Sequence, residues 1–277
     1  MKTETKTQKL HSFLLILFIL LAVFMLNMTY ASKIPGTILM AIRITLIVAF
    51  YGLWRFFHTK KLEHAKTLSF TLMVVNLAFF FVSFFTVDLL NINLESAKGI
   101  AFAKLSDSFI ISLVLISSFM LGGFKLKDIY IAKGILVSGL IIGLLSFTLM
   151  GFLALNNPEQ KVDPIFIMRN LLWILLFVFS NAFMEELLFR GIFLKQLNVL
   201  FNPFWSIILT SVVFAVAHMQ VTYTPDVLFF VGIVLILALI WGFLMHFTKS
   251  IIAPMFFHAG ADLMIIIPIY STFGVTG

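Results

Sequence analysis

The chain has 277 residues, of which 61% are hydrophobic and 11% are charged, whereas a soluble globular domain typically carries about 25% charged residues. It contains no cysteine, which excludes disulfides, a cysteine nucleophile and thiolate zinc sites. The formal net charge is +7, but the basic residues lie in short gaps between apolar runs and form no patch with interleaved aromatics, so we expect them to set membrane topology and not to bind nucleic acid.

Long apolar runs follow one another along the whole chain. A helix that crosses a bilayer needs about 20 mainly apolar residues, so we predict an all-α fold, a polytopic transmembrane helix bundle of about eight or nine spans. The run near 204–220 is short, and we expect the long run near 167–194 to begin as an interfacial segment around Arg169. The amphipathic stretch Asn93 to Lys104 is predicted to lie along the membrane surface. The candidate spans are 12–29, 37–57, 68–90, 107–124, 134–155, 167–194, 204–220, 227–247 and 251–270.

The basic residues between these runs predict an orientation. With the N-terminus placed in the cytoplasm, thirteen basic residues fall in the inside gaps and five in the outside gaps. Because cytoplasmic loops carry an excess of Lys and Arg, this bias favours a cell-membrane protein with a cytoplasmic N-terminus. Within the spans, Gly139 and Gly143 form a small-xxx-small pattern that predicts close helix packing. We expect Arg43 to snorkel or to pair within the bundle, and Asn76 to join two helices.

Ionisable residues deep inside a membrane are costly and are functional-site candidates. Apart from Arg43, those of this chain lie in its last third, on three different helices. They are Glu185, Glu186, Arg190, His218, His258 and Asp262.

The spacing of the first three residues predicts two different environments. Glu186 and Arg190 are four residues apart, so on a helix they share a face and can form a salt bridge. Glu185 is rotated by about 100° from that face, and therefore must point at something else. A carboxylate without a local partner suits a general base or acid. For the salt bridge itself, the pattern favours a structural interpretation over a catalytic one.

The other two helices bring histidines. His258 and Asp262 are again four residues apart and project together, while Phe214 and His218 share a face of the helix before. A carboxylate and two histidines that converge in a membrane are typical of a hydrolytic site, which could hold a metal or polarise water directly. Alternatively, His218 is a satisfied core residue, and His258 with Asp262 is a simple hydrogen-bonded pair.

At these residues the sequence resembles a known family, the CPBP intramembrane proteases, which comprise CAAX proteases and bacteriocin-processing (Abi) enzymes. The run EELLFR at 185–190 is similar to its EExxxR motif, FAVAH at 214–218 to its FxxxH motif, and HAGAD at 258–262 to HxxxN with Asp as a variant. The resemblance covers about residues 165–270. It implies two parts, N-terminal transmembrane helices without a catalytic motif (1–160) and a catalytic core (161–277).

The resemblance implies a membrane-embedded endopeptidase. Glu185 would activate the attacking water with His218 beside it, and Glu186 and Arg190 would brace the site. His258 and the residue at 262 would stabilise the oxyanion, but an Asn amide can donate a hydrogen bond and an ionised Asp only accepts.

The resemblance also leaves a metal open. The tentative ligands of a zinc ion would be Glu185, His218 and His258. Asp262 would then have to be protonated, to orient His258 or to bind the metal.

Three functions remain open from the sequence. The first is an endopeptidase that cleaves a peptide or membrane-protein substrate near the cytoplasmic face. The second is a non-catalytic scaffold or regulator of cell-envelope proteins, or a bacteriocin self-immunity protein. The third, a transporter or channel, is less favoured because the chain shows no internal repeat. The sequence does not specify the substrate, the scissile bond or the oligomeric state.

Overall fold

The structure is a computed structural model that describes residues 21–22, 34–157, 163–222 and 224–272. Every element in these ranges is helical and none is a strand, which confirms the all-α prediction. The elements are α1 (Gly36–Thr59), α2 (Glu63–Leu90), α3 (Ala97–Leu121), a 3-10 turn (Leu126–Ile129), α4 (Leu136–Leu155), α5 (Pro164–Glu186), a π-helix (Leu187–Phe193), α6 (Leu194–Leu197), α7 (Pro203–Ala217), α8 (Val227–Thr248) and α9 (Ile252–Thr272).

Seven stretches of the described chain are long and apolar enough to cross a membrane, as expected of a multi-pass membrane protein. Helix α7 has only 15 residues, fewer than the roughly 20 that a span needs. Candidate span 12–29 lies almost wholly outside the described residues, so the total of eight or nine and the cytoplasmic N-terminus stay predictions. The seven stretches are Gly36–Thr59, Glu63–Thr86, Ala97–Leu121, Leu136–Leu155, Pro164–Leu197, Val227–Thr248 and Ile252–Tyr270.

The prediction of a separate surface helix at Asn93 to Lys104 is wrong. Helix α3 begins at Ala97, capped by the Ser96 hydroxyl, and continues without a break through the apolar run. Its two lysines lie over aromatic rings of α5, with Lys98 Nζ 5.6 Å from the Trp173 centroid and Lys104 Nζ 5.6 Å from that of Phe177. These cation–π contacts explain why an amphipathic pattern belongs to a packed transmembrane helix.

The chain divides into two compact units, one made of Met1–Ser83 and Ile192–Leu239, the other of Phe84–Gly191 and Ile240–Gly277. In the first unit, Arg43 Nη1 donates to Asn76 Oδ1 at 3.1 Å, and Asn76 Nδ2 donates to the Arg43 carbonyl at 2.8 Å. This two-way bond ties α1 to α2, so Arg43 pairs within the bundle and Asn76 joins two helices, although the sequence did not predict that they bind each other. The sequence-based division at residue 160 concerns where the motifs lie and stays a prediction.

The second unit is built around α9. This helix packs against α4 and α5, and α5 also packs against α3. Glycines allow the close approach of α4 and α9: a Cβ at Gly143 would lie 3.0 Å from Phe256 Cβ, and one at Gly260 would lie 2.9 Å from Phe147 Cα. The predicted close packing is confirmed at Gly143, whereas a Cβ at Gly139 would make only an ordinary contact at 3.9 Å. In lipid, small residues let van der Waals packing replace the hydrophobic driving force.

Candidate active site

Helix α5 changes its winding at the two glutamates. Glu185 and Glu186 are the last residues of the α-helix, and the wider π-helix Leu187–Phe193 follows at once. Such π-turns are rare and often mark functional sites. Gly191 allows the close approach of the 3-10 turn Leu126–Ile129, because a Cβ there would lie 2.9 Å from the carbonyl oxygen of Ile129. The two adjacent carboxylates thus lie directly before the change of winding in the second unit.

Glu186 accepts two hydrogen bonds at one oxygen. Its Oε1 lies 2.9 Å from Arg190 Nη1 and 2.8 Å from His258 Nδ1, and both Glu186 and Arg190 are fully buried. The predicted salt bridge is confirmed. The same carboxylate oxygen also contacts His258. Since an ionised carboxylate only accepts, His258 Nδ1 carries a hydrogen and its Nε2 points away from Glu186.

Glu185 faces the other nitrogen of the same histidine. Its Oε2 lies 3.4 Å from His258 Nε2, and its side chain is 12% exposed. Among the described residues, none donates a hydrogen bond to this oxygen. The sequence predicted that Glu185 must point at something other than the salt-bridge partner, and this contact identifies it as His258 on α9.

Asp262 completes the surroundings of His258 Nε2. Its Oδ1 lies 3.6 Å from that nitrogen, and its Oδ2 accepts a hydrogen bond of 2.9 Å from Asn181 Nδ2 on α5. The predicted pairing of His258 and Asp262 along one helix face is confirmed. The Asn181 contact was not predicted, because a neutral amide on an apolar helix gives no signal that distinguishes it from helix–helix packing.

Trp241 is a further residue that the sequence pattern did not reveal. Its ring stacks on His258, with centroids 4.0 Å apart and planes inclined by 10°, and the Arg190 guanidinium carbon lies 5.4 Å from its centroid. The indole is buried, so the histidine ring is held in plane by stacking and at its edge by Glu186. The tryptophan lies in the strongly apolar run of α8, where no charge marks it.

His218 belongs to the first unit, whereas the other five candidates belong to the second. It follows the last residue of α7, its Nδ1 lies 2.9 Å from the Phe214 carbonyl oxygen, and the two rings are 4.6 Å apart. The FxxxH spacing thus yields a contact within one helical turn. A position of His218 beside Glu185 stays a prediction.

The tentative zinc set also stays a prediction. Among the residues that the structure describes, no group of three or more His, Asp or Glu side chains is arranged to hold a metal ion. His258 uses Nδ1 for Glu186, which leaves Nε2 as its one nitrogen for any other partner.

Residues 166–264 match the family model described as type II CAAX prenyl endopeptidase Rce1-like. The resemblance to the CPBP family is confirmed over this segment. It contains all six candidate residues, and the family is one of membrane proteases. No curated protein and no solved structure matches the chain.

Proposed function

We propose that the protein is an intramembrane endopeptidase that hydrolyses a peptide or protein substrate with water activated by Glu185 and histidine. The observation that carries the proposal is the Glu185 carboxylate, whose Oε2 lies 3.4 Å from His258 Nε2. This histidine also contacts Glu186, Trp241 and Asp262. Peptide hydrolysis needs a base that removes a proton from water as its oxygen attacks the carbonyl carbon. Glu185 Oε2 accepts no hydrogen bond from a described residue, and the side chain as a whole is 12% exposed.

The neighbouring groups would divide the remaining work. Glu185 takes the proton from water, and the carbonyl oxygen becomes an oxyanion that needs donors placed in advance. His258 supplies such a donor at Nε2 when both its nitrogens carry hydrogen. The C–N bond then breaks, and Glu185 passes the proton to the leaving amine. Glu186, which is paired with Arg190, holds His258 throughout, and a part for His218 in the same reaction stays a prediction.

The charge bias supports a site that opens towards the cytoplasm. If the N-terminus is inside, Glu185 on α5 and His258 on α9 both fall in the cytoplasmic half of their spans. The substrate would then be a peptide or membrane-protein segment that reaches the bilayer from that side.

A paired cleavage assay tests the proposal. The protein and its Glu185→Gln variant are purified in detergent and incubated with a library of membrane-protein peptides, with Glu95→Gln as a control at an exposed glutamate. We expect cleavage by the wild type and the control and a loss of at least about a hundredfold for Glu185→Gln. Equal cleavage by all three would refute the role of Glu185.

Asp262 favours one alternative, a non-catalytic scaffold, regulator or bacteriocin self-immunity protein. Both its oxygens face groups of the protein, Asn181 and His258, and an ionised carboxylate cannot donate to an oxyanion. Under this alternative no peptide is cleaved, and Glu185→Gln still restores the phenotype of a deletion strain.

A further inference from the structure

We propose that Asn181 is a positioning residue of this site: its amide fixes the Asp262 carboxylate in the orientation that faces His258. This inference rests on the proposed endopeptidase function and extends it by one residue. It starts from the 2.9 Å hydrogen bond between Asn181 Nδ2 and Asp262 Oδ2, which connects α5 to α9.

Two helices present their polar groups here in matching pairs. Asn181 and Glu185 are four residues apart on α5, and His258 and Asp262 are four residues apart on α9, so each pair shares a helix face. The contacts run across the two helices: Asn181 bonds to Asp262, and Glu185 Oε2 lies 3.4 Å from His258 Nε2. A change at Asn181 therefore acts, through Asp262, on the same nitrogen of His258 that Glu185 faces.

The chemistry of Asp262 requires a donor. Residues Asn181 and Asp262 are only 7% and 8% exposed, and a buried carboxylate without hydrogen bonds is strongly disfavoured. Asn181 donates to Oδ2, so Oδ1 is left to face His258 Nε2 at 3.6 Å. In the HxxxN pattern that this chain resembles, the amide stands on the last helix; here the amide is on α5 and the carboxylate on α9.

An exchange experiment tests this arrangement in the full chain in detergent. Asn181→Asp places two carboxylates opposite each other, and neither can donate a hydrogen bond when ionised. Asn181→Asp combined with Asp262→Asn restores one amide and one carboxylate. Asn170→Asp is the matched control, because Asn170 is buried on the same helix and bonds only to the Phe166 carbonyl of its own turn. Each protein is measured for kcat and KM on a peptide that the wild type cleaves, and for its thermal unfolding midpoint.

We expect Asn181→Asp to lower kcat by about ten- to a hundredfold with KM changed by less than about threefold. The double variant should recover at least about tenfold of kcat and the unfolding midpoint, and Asn170→Asp should keep the wild-type kcat. The inference is overturned if the double variant is no better than Asn181→Asp in both readouts. If the wild type cleaves no peptide, the proposed endopeptidase function is refuted, but the unfolding midpoints still test the pairing of Asn181 with Asp262. A recovered midpoint in the double variant supports the pairing, and an unrecovered midpoint overturns it.

Discussion

Glu186 contacts both Arg190 and His258 through one carboxylate oxygen. Removal of this carboxylate should therefore have two separable effects. Glu186→Ala takes the carboxylate from a guanidinium that is fully buried, with the Nη1 to Oε1 distance at 2.9 Å. It also takes away the acceptor that lies 2.8 Å from His258 Nδ1. The first effect concerns stability and the second concerns the direction of the histidine. A second substitution, Arg190→Leu, cancels only the first.

The two effects have different magnitudes. Removal of one partner from a buried ion pair costs about 3–5 kcal/mol, whereas replacement of both partners by apolar groups is often close to neutral. A hydrogen bond to a charged group contributes about 1.5–3 kcal/mol, which corresponds to roughly ten- to 150-fold in rate. We therefore expect Glu186→Ala to lower both stability and kcat, and Glu186→Ala with Arg190→Leu to regain stability while kcat stays low.

Unfolding in mixed micelles by SDS titration measures the stability, and the peptide assay measures kcat on the same preparations. Arg190→Leu alone is the matched control, because it leaves a buried carboxylate that still contacts His258. A double variant with wild-type kcat would show that Glu186 only neutralises Arg190, and the proposed orientation of His258 would be wrong.

Three further predictions test the surroundings of the site. Trp241→Leu should lower kcat by at least about tenfold and Trp241→Phe by less, because only the second keeps an aromatic face on His258; equal losses in kcat assays would contradict a stacking role. Gly260→Leu should lower the unfolding midpoint, because its Cβ meets Phe147 Cα at 2.9 Å, while Gly232→Leu should not, because nothing lies within 4 Å of a Cβ there. Because the proposed reaction has Glu185 act on water directly, dialysis against a zinc chelator should leave kcat within about twofold; a loss that zinc restores would support the tentative metal set instead.

Spacing along a single helix was enough to predict the local pairs of the site. The i,i+4 rule placed Glu186 beside Arg190 and His258 beside Asp262, because helix geometry alone determines these neighbours. It also turned Glu185 away from the salt bridge. The same rule brought His218 to Phe214, but it does not decide which distant groups a histidine meets.

The sequence pattern did not predict which residues meet between different helices. The bond from Glu186 to His258 joins residues 72 positions apart, and its register depends on how closely α4, α5 and α9 pack. Trp241 and Asn181 were missed because an indole and an amide in apolar helices look like ordinary packing residues. The start of α3 was misjudged for a related reason: an amphipathic turn looks the same whether its lysines face headgroups or, as Lys98 does, an aromatic ring of a neighbouring helix.

Lipid offers no water to a buried polar group, so the groups of this site have to satisfy one another. Hydrogen bonds and short contacts run without interruption from Arg190 through Glu186, His258 and Asp262 to Asn181. Each inner member has a neighbour on both sides, so every single substitution leaves a buried group without its partner and lowers stability as well as rate. Effects within such a chain are not additive. Only paired substitutions, which remove or exchange both ends of one contact, can separate the groups that hold the site together from the groups that carry the reaction.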